Sequence, residues 1–149
     1  LMEDVMKKYL RPIMAGLLCA IFIANIGFAK DPNATDQRFT EEKLKRIEKN
    51  LVLGMESSSP SLQASAALVL KQVKSNAPEY GFTSAIIPLM RILKDEQREA
   101  NVRIAAALSL QDLKSERGDF AIQRTAQFAD SPRVKHICSW LTYQRLKED

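Results

Sequence analysis

Apolar residues recur along this chain at steps of three and four, the spacing of helices with one face in water. Leu44, Ile47, Leu51 and Met55 make such a stripe and predict a first helix over Glu41–Met55. Thr40 precedes it as an N-cap, and Glu41 and Glu42 fall in the first turn, where they suit the helix dipole. Lys43, Lys45, Arg46, Glu48 and Lys49 lie on the other face and are expected to meet water. Gly54 and the serines at 57–59 end the helix. Ser59-Pro60 opens a second helix that runs to about Lys74, followed by a connector over 75–81. Thr83 or Ser84 is the expected cap of a third helix, with Ile86, Ile87, Met90 and Leu93 on its apolar side. Pro88 near its start predicts a kink or a late beginning. A polar turn at 95–100 leads into a fourth helix over 101–114, and 115–118 turns again. Asp119 is the expected cap of a fifth helix carrying Phe120, Ile122, Ala126 and Phe128 as apolar positions. Asp130-Ser131-Pro132 starts a sixth. No segment has the alternation of a strand.

Three of these helices repeat one another. Residues 62–73 read LQASAALVLKQV, 102–113 read VRIAAALSLQDL and 134–145 read VKHICSWLTYQR. Aligned without gaps, Leu62, Val102 and Val134 coincide, as do Ala66, Ala106 and Cys138, and Leu68, Leu108 and Trp140. A helix that recurs with another helix before each copy marks a stacked helical repeat, an architecture that mostly makes binding surfaces. Over 102–113 apolar residues run almost right round the cylinder, so this helix must be covered on several sides. Ala105, Ala106 and Ala107 allow a neighbouring backbone to come close. The first helix of each pair, with one stripe, would form an outer row.

The middle pair resembles a HEAT repeat. It has Ile87-Pro88-Leu89-Met90-Arg91-Ile92-Leu93-Lys94-Asp95, then Val102-Arg103, Ala106, Leu110 and Leu113. The last pair keeps Asp130, Val134 and Lys135 but has Thr142 and Arg145 at the later leucine positions. The first keeps Leu62, Ala66, Leu70 and Val73, with Gln63 in place of the basic residue. The resemblance covers about 41–146. It implies an all-α, right-handed solenoid of about three antiparallel helix pairs over 40–149. It also implies that Asp95, Arg103, Asp130 and Lys135 are structural, tying adjacent turns together.

The first thirty residues follow another logic. Lys7, Lys8 and Arg11 precede an apolar run at 13–28 that ends in Gly27-Phe28-Ala29. Charged entry, apolar middle and small-residue exit are the layout of a secretory signal peptide, expected at 6–29 with Met6 as start and a flexible lead at 30–39. The chain is then exported, periplasmic or secreted, with no stable membrane insertion after cleavage. An uncleaved segment would instead make it a membrane-anchored structural module. Composition adds little to this. Net charge is +4 from 22 bases and 18 acids in 149 residues. The signs are interleaved without a long basic run, which argues against a nucleic-acid partner. Of the two cysteines, Cys19 lies in the apolar run, so the domain itself has no disulfide.

Candidate chemistry is sparse. His136, the one histidine, and Cys138 stand two apart on a helix, about 200° round, and cannot pair as base and nucleophile. Two residues do not make a zinc site. Cys138 aligns with alanines and reads as a small core residue. No phosphate loop or hydrolase elbow is present, so no cofactor, metal or catalytic set is expected. A bilin-lyase type of enzyme, or a component of one, is the alternative that the HEAT resemblance leaves open. His136, Trp140 and Tyr143 stand at i, i+4 and i+7 and share a face. They either pack on the fourth helix or expose an aromatic patch at the end of the stack, where Trp and Tyr serve as anchors. Specificity is expected where the copies differ: Lys71, Gln111 and Tyr143 at one register position, Ala64, Ile104 and His136 at another. The expected function is a non-enzymatic scaffold or adaptor that binds a protein or peptide on the face of the inner helices.

Overall fold

A computed structural model describes residues 39–148. The expected signal peptide and nearly all of the lead lie outside the described residues. Within them the chain is all-α: six α-helices, one 3-10 turn and no strand. They are α1 (Glu41–Met55), α2 (Pro60–Asn76), a 3-10 turn (Thr83–Ala85) that continues into α3 (Ile86–Lys94), α4 (Ala100–Leu113), α5 (Glu116–Phe128) and α6 (Pro132–Glu148).

The helix starts follow from side-chain caps at three of the ends. Thr40 Oγ1 accepts from the Lys43 amide, and Ser59 Oγ from the Leu62 amide, with Pro60 in the first turn. At α5 the cap is Ser115, whose Oγ accepts from the Gly118 amide, and not Asp119. Asp119 lies inside the first turn, with its carboxylate 3.3 Å from Arg145 of α6. Neither Thr83 nor Ser84 caps α3. Both belong to the 3-10 turn, and the Ser84 amide donates to Glu48 at 2.7 Å. Pro88 is the third residue of α3, where no intrahelical N–H is required, so the helix begins late instead of kinking. Lys114 closes α4 with φ 50°, in the left-handed place that usually goes to glycine.

Contacts between elements run in two series. In one, α2 packs on α4 and α4 on α6; in the other, α1 packs on α3 and α3 on α5. Within the successive pairs α1 lies on α2, α3 on α4 and α5 on α6. Helix α4 is the hub and buries Val102, Ala105, Ala106, Ala107, Leu110 and Leu113. The alanines let α2 approach until Ser109 Oγ donates to the Ala67 carbonyl at 2.6 Å. Gly54 does the same for α1 and α2: a Cβ there would stand 2.9 Å from Ala66 Cβ.

Three expected faces are different in the fold. Glu48 is buried, because its carboxylate accepts from Tyr80 Oη at 2.9 Å and from Ser84 N. This pins the connector between α2 and α3, where Phe82 is buried at φ 45° with its ring edge-on to Tyr80. Helix α3 buries Pro88, Leu89, Ile92 and Leu93, while Ile87 is exposed. The run from Ile86 to Leu93 is apolar enough to offer two neighbouring stripes, and contact with α4 selects the second. Helix α5 turns Phe120 and Phe128 outward and buries Gly118, Ala121, Ile122 and Thr125, a small-residue face that fits between its neighbours.

Candidate functional site

Helix α4 holds the most buried cation. Arg103 is 1% exposed; it donates from Nε to the Leu93 carbonyl at 2.9 Å and from Nη2 to Glu96 Oε1 at 2.8 Å. Its other nitrogen, Nη1, also reaches Glu96, so the pair is bidentate. The partner is Glu96 and not Asp95. Asp95 instead accepts from the Gln97 amide and from Arg98 Nε, because the extended backbone at Asp95 turns it away at the end of α3. Arg98 continues to Gln63 of α2, which donates to the Ser57 carbonyl. These groups hold α2, α3 and α4 together and are fully committed to one another. The corresponding Asp130 and Lys135 of the last pair are both exposed.

Cys138, Ala106 and Ala66 are buried, as their common register position requires. Burial pushes the Cys138 thiol up from 9.0 to about 11, although Arg103 nearby pulls the other way. The thiol is thus held protonated and out of water, on the opposite side of α6 from exposed His136. The described residues contain no group of three His, Cys, Asp or Glu able to hold a metal ion, and none of their helices is long and apolar enough to cross a membrane.

The opposite sides of α2, α4 and α6 form a different surface. Nine residues occupy three register positions there: Ala64, Ile104 and His136; Leu68, Leu108 and Trp140; Lys71, Gln111 and Tyr143. None of the nine is buried. Leu68 is 47% exposed, Trp140 49% and Tyr143 55%. Of the two placements open to His136, Trp140 and Tyr143, the fold takes the exposed one. Their alignment with Leu68 and Leu108 is no argument for core, because that register position faces outward in α2 and is only half-covered in α4.

An ion pair ties α2 to α4 on this side, and a crevice opens where α4, α5 and α6 meet. Lys71 Nζ of α2 meets Asp112 Oδ2 of α4 at 2.7 Å. Gln111 of α4 lines a crevice with Thr142 and Arg145 of α6. Lys71, expected as a contact residue, is therefore already paired within the fold. Lys147 Nζ lies 4.5 Å above the Tyr143 ring.

Two clefts lie elsewhere. One of about 420 Å³ runs beside α5 between Phe120, Phe128 and Lys94, with the Arg124 guanidinium 4.6 Å over the Phe128 ring. The other, about 460 Å³, lies along α1 by Val52, Leu53 and Lys49. Of the carboxylates that line them, Glu96 and Glu48 are already bonded to Arg103 and to Tyr80 and Ser84, and so are poorly placed to act as general bases. The exposed Phe120 and Phe128 left no signal in the sequence, since an apolar residue on a helix reads as core until its neighbours are known. Glu96 and Asp112, the ion-pair partners, were equally silent for that reason.

No protein-family model, curated protein or solved structure matches this chain.

Proposed function

We propose that the chain is a HEAT-like α-solenoid of three antiparallel helix pairs, acting as a non-enzymatic scaffold that docks a protein or peptide on the outward side of α2, α4 and α6. One observation carries this reading: at three register positions shared by α2, α4 and α6 the fold buries none of the nine side chains, and at two of them, Ala64, Ile104 and His136 and then Lys71, Gln111 and Tyr143, every copy is different. Core positions repeat because packing demands it, as with Ala66, Ala106 and Cys138. Positions free of that demand carry Leu68, Leu108 and Trp140 side by side, and half-exposed apolar groups in a row mark an interaction surface. The two contact series, α2–α4–α6 and α1–α3–α5, support the solenoid. The commitment of Arg103, Glu96, Glu48 and Cys138 to structural roles supports a binder over an enzyme. Export to the periplasm or medium belongs to the same proposal and rests on the sequence of the first thirty residues.

The test is a co-purification from the native cell envelope with wild type and two single variants, Trp140→Glu and Phe128→Glu. Trp140 is 49% exposed and Phe128 63%, so either change is expected to leave the fold intact. A partner retained by Phe128→Glu and lost from Trp140→Glu supports the reading. A partner lost from Phe128→Glu and kept by Trp140→Glu moves the site to the α5 cleft and refutes it.

A further inference from the structure

The outward side of α6 combines cations with aromatic side chains on one exposed face. Arg133, His136, Trp140, Tyr143 and Lys147 stand at i, i+3, i+7, i+10 and i+14, one face of a helix, and all five are exposed. No Asp or Glu occurs from Pro132 to Lys147. On the neighbouring helices Asp112 is paired with Lys71 at 2.7 Å and Asp119 with Arg145 at 3.3 Å, and the acids nearest in sequence, Asp130 and Glu148, lie just outside the stripe. On α1, by contrast, the signs are mixed, as at Glu42 and Arg46. The stripe is thus aromatic at its centre and cationic at both ends. From Arg133 to Lys147 the helix rises about 21 Å. Toward α4 the apolar centre continues through half-buried Leu108 and Ile104.

Resting on the docking role proposed above, we infer that this stripe takes an acidic peptide segment: an apolar centre over Trp140 and Tyr143, flanked by carboxylates that meet Arg133 and Lys147. An extended segment of about six residues spans the distance between the cations. The aromatic pair supplies affinity, and the cations select the sign and register of the segment. Two other anionic partners fit less well. Two cations some four helical turns apart in sequence match few of the closely spaced phosphates of a nucleic acid. They also raise attraction to an anionic lipid surface by only about 30-fold, too little for stable attachment. Gln111, which shares a crevice with Thr142 and Arg145 of α6, offers hydrogen bonds to a peptide backbone and nothing to an acyl chain.

Trp140 is the sole tryptophan, so its emission reports on the stripe directly. The full chain is titrated with a short Trp-free peptide in which paired glutamates flank Leu-Phe-Leu, and with its lysine and glutamine counterparts. The acidic peptide is expected to shift Trp140 emission to the blue and to bind at least about 10-fold tighter than the lysine peptide, a difference that shrinks at about 0.5 M salt. The double variant Arg133→Glu/Lys147→Glu is expected to reverse that preference, and Arg133→Gln/Lys147→Gln to abolish it, with helix content unchanged. If the glutamine peptide binds as tightly as the acidic one and the charge variants change nothing, acid selection is overturned while peptide docking survives. If no peptide of any charge shifts Trp140, docking at this stripe fails altogether. A shift produced only by anionic phosphatidylglycerol vesicles, or only by a single-stranded oligonucleotide, overturns the inference in favour of that surface.

Discussion

At the residue scale the fold rests on a few polar side chains that are buried and satisfied. Arg103 is the clearest of them. Removing its counter-ion leaves a guanidinium 1% exposed and short of two hydrogen bonds. Glu96→Ala is therefore expected to destabilise by about 2–3 kcal/mol in urea denaturation, somewhat below a fully buried pair because Glu96 itself is partly wet. Asp95→Ala, which breaks an open i,i+3 pair with Arg98, should lower stability by about 1 kcal/mol or less. Equal effects would return the tie to Asp95. Cys138 gives a pH signature. Its folded thiol keeps the proton to about 11, against 9.0 when free, so unfolding releases a proton in that window. Stability contributed by Cys138 is present below about pH 9 and is lost as pH rises toward about 11, and Cys138→Ala should remove that slope from urea midpoints. The sequence made Arg103 legible as structural through the Val-Arg motif, and Cys138 through its alignment with alanines. It did not reveal Glu96, because which of two adjacent acids reaches the arginine depends on the backbone turn at the end of α3.

At the element scale, helix type and order follow from periodicity and caps, while the face each helix buries follows from its neighbours. Thr40 and Ser59 cap where the sequence places them. Helix α5 starts four residues before the position that Asp119 as cap predicts. Ser115-Glu116-Arg117-Gly118 looks like a turn, but the serine is the cap and the glycine lies in the helix, where an added Cβ would meet Ser115 Oγ at 2.8 Å. Ser115→Ala should then lower stability by about 1 kcal/mol, measurable as a reduced thermal midpoint. Gly54→Ala tests the contact between α1 and α2. Alanine is the better helix former by about 1 kcal/mol, yet the new methyl would stand 2.9 Å from Ala66 Cβ, which cannot rotate away. Net destabilisation of about 1 kcal/mol is expected; a rise in thermal midpoint would show that the two helices separate freely. The outward phenylalanines of α5 and the shifted stripe of α3 were not legible for a related reason. Period alone fixes the angle between residues, and only the partner helix decides which angle is inside.

At the scale of the whole molecule, repetition supplies a core and variation supplies a surface. The repeated positions Ala66, Ala106 and Cys138 hold the series α2–α4–α6 together, and the positions on the far side hold Leu68, Trp140 and Tyr143 in the open. The sequence aligned Leu68, Leu108 and Trp140 but left their exposure open, since a leucine aligned with a tryptophan reads equally well as core or as interface. The central claim is that this outward side is where a partner sits. Amide hydrogen exchange of the full chain, free and bound to the partner recovered from the envelope, tests it most directly. Added protection is expected in peptides of α2, α4 and α6 that contain Leu68, Leu108 and Trp140, with α1, α3 and α5 unchanged. Protection confined to α5 around Phe120 and Phe128, or to α1 around Leu53, would contradict the account.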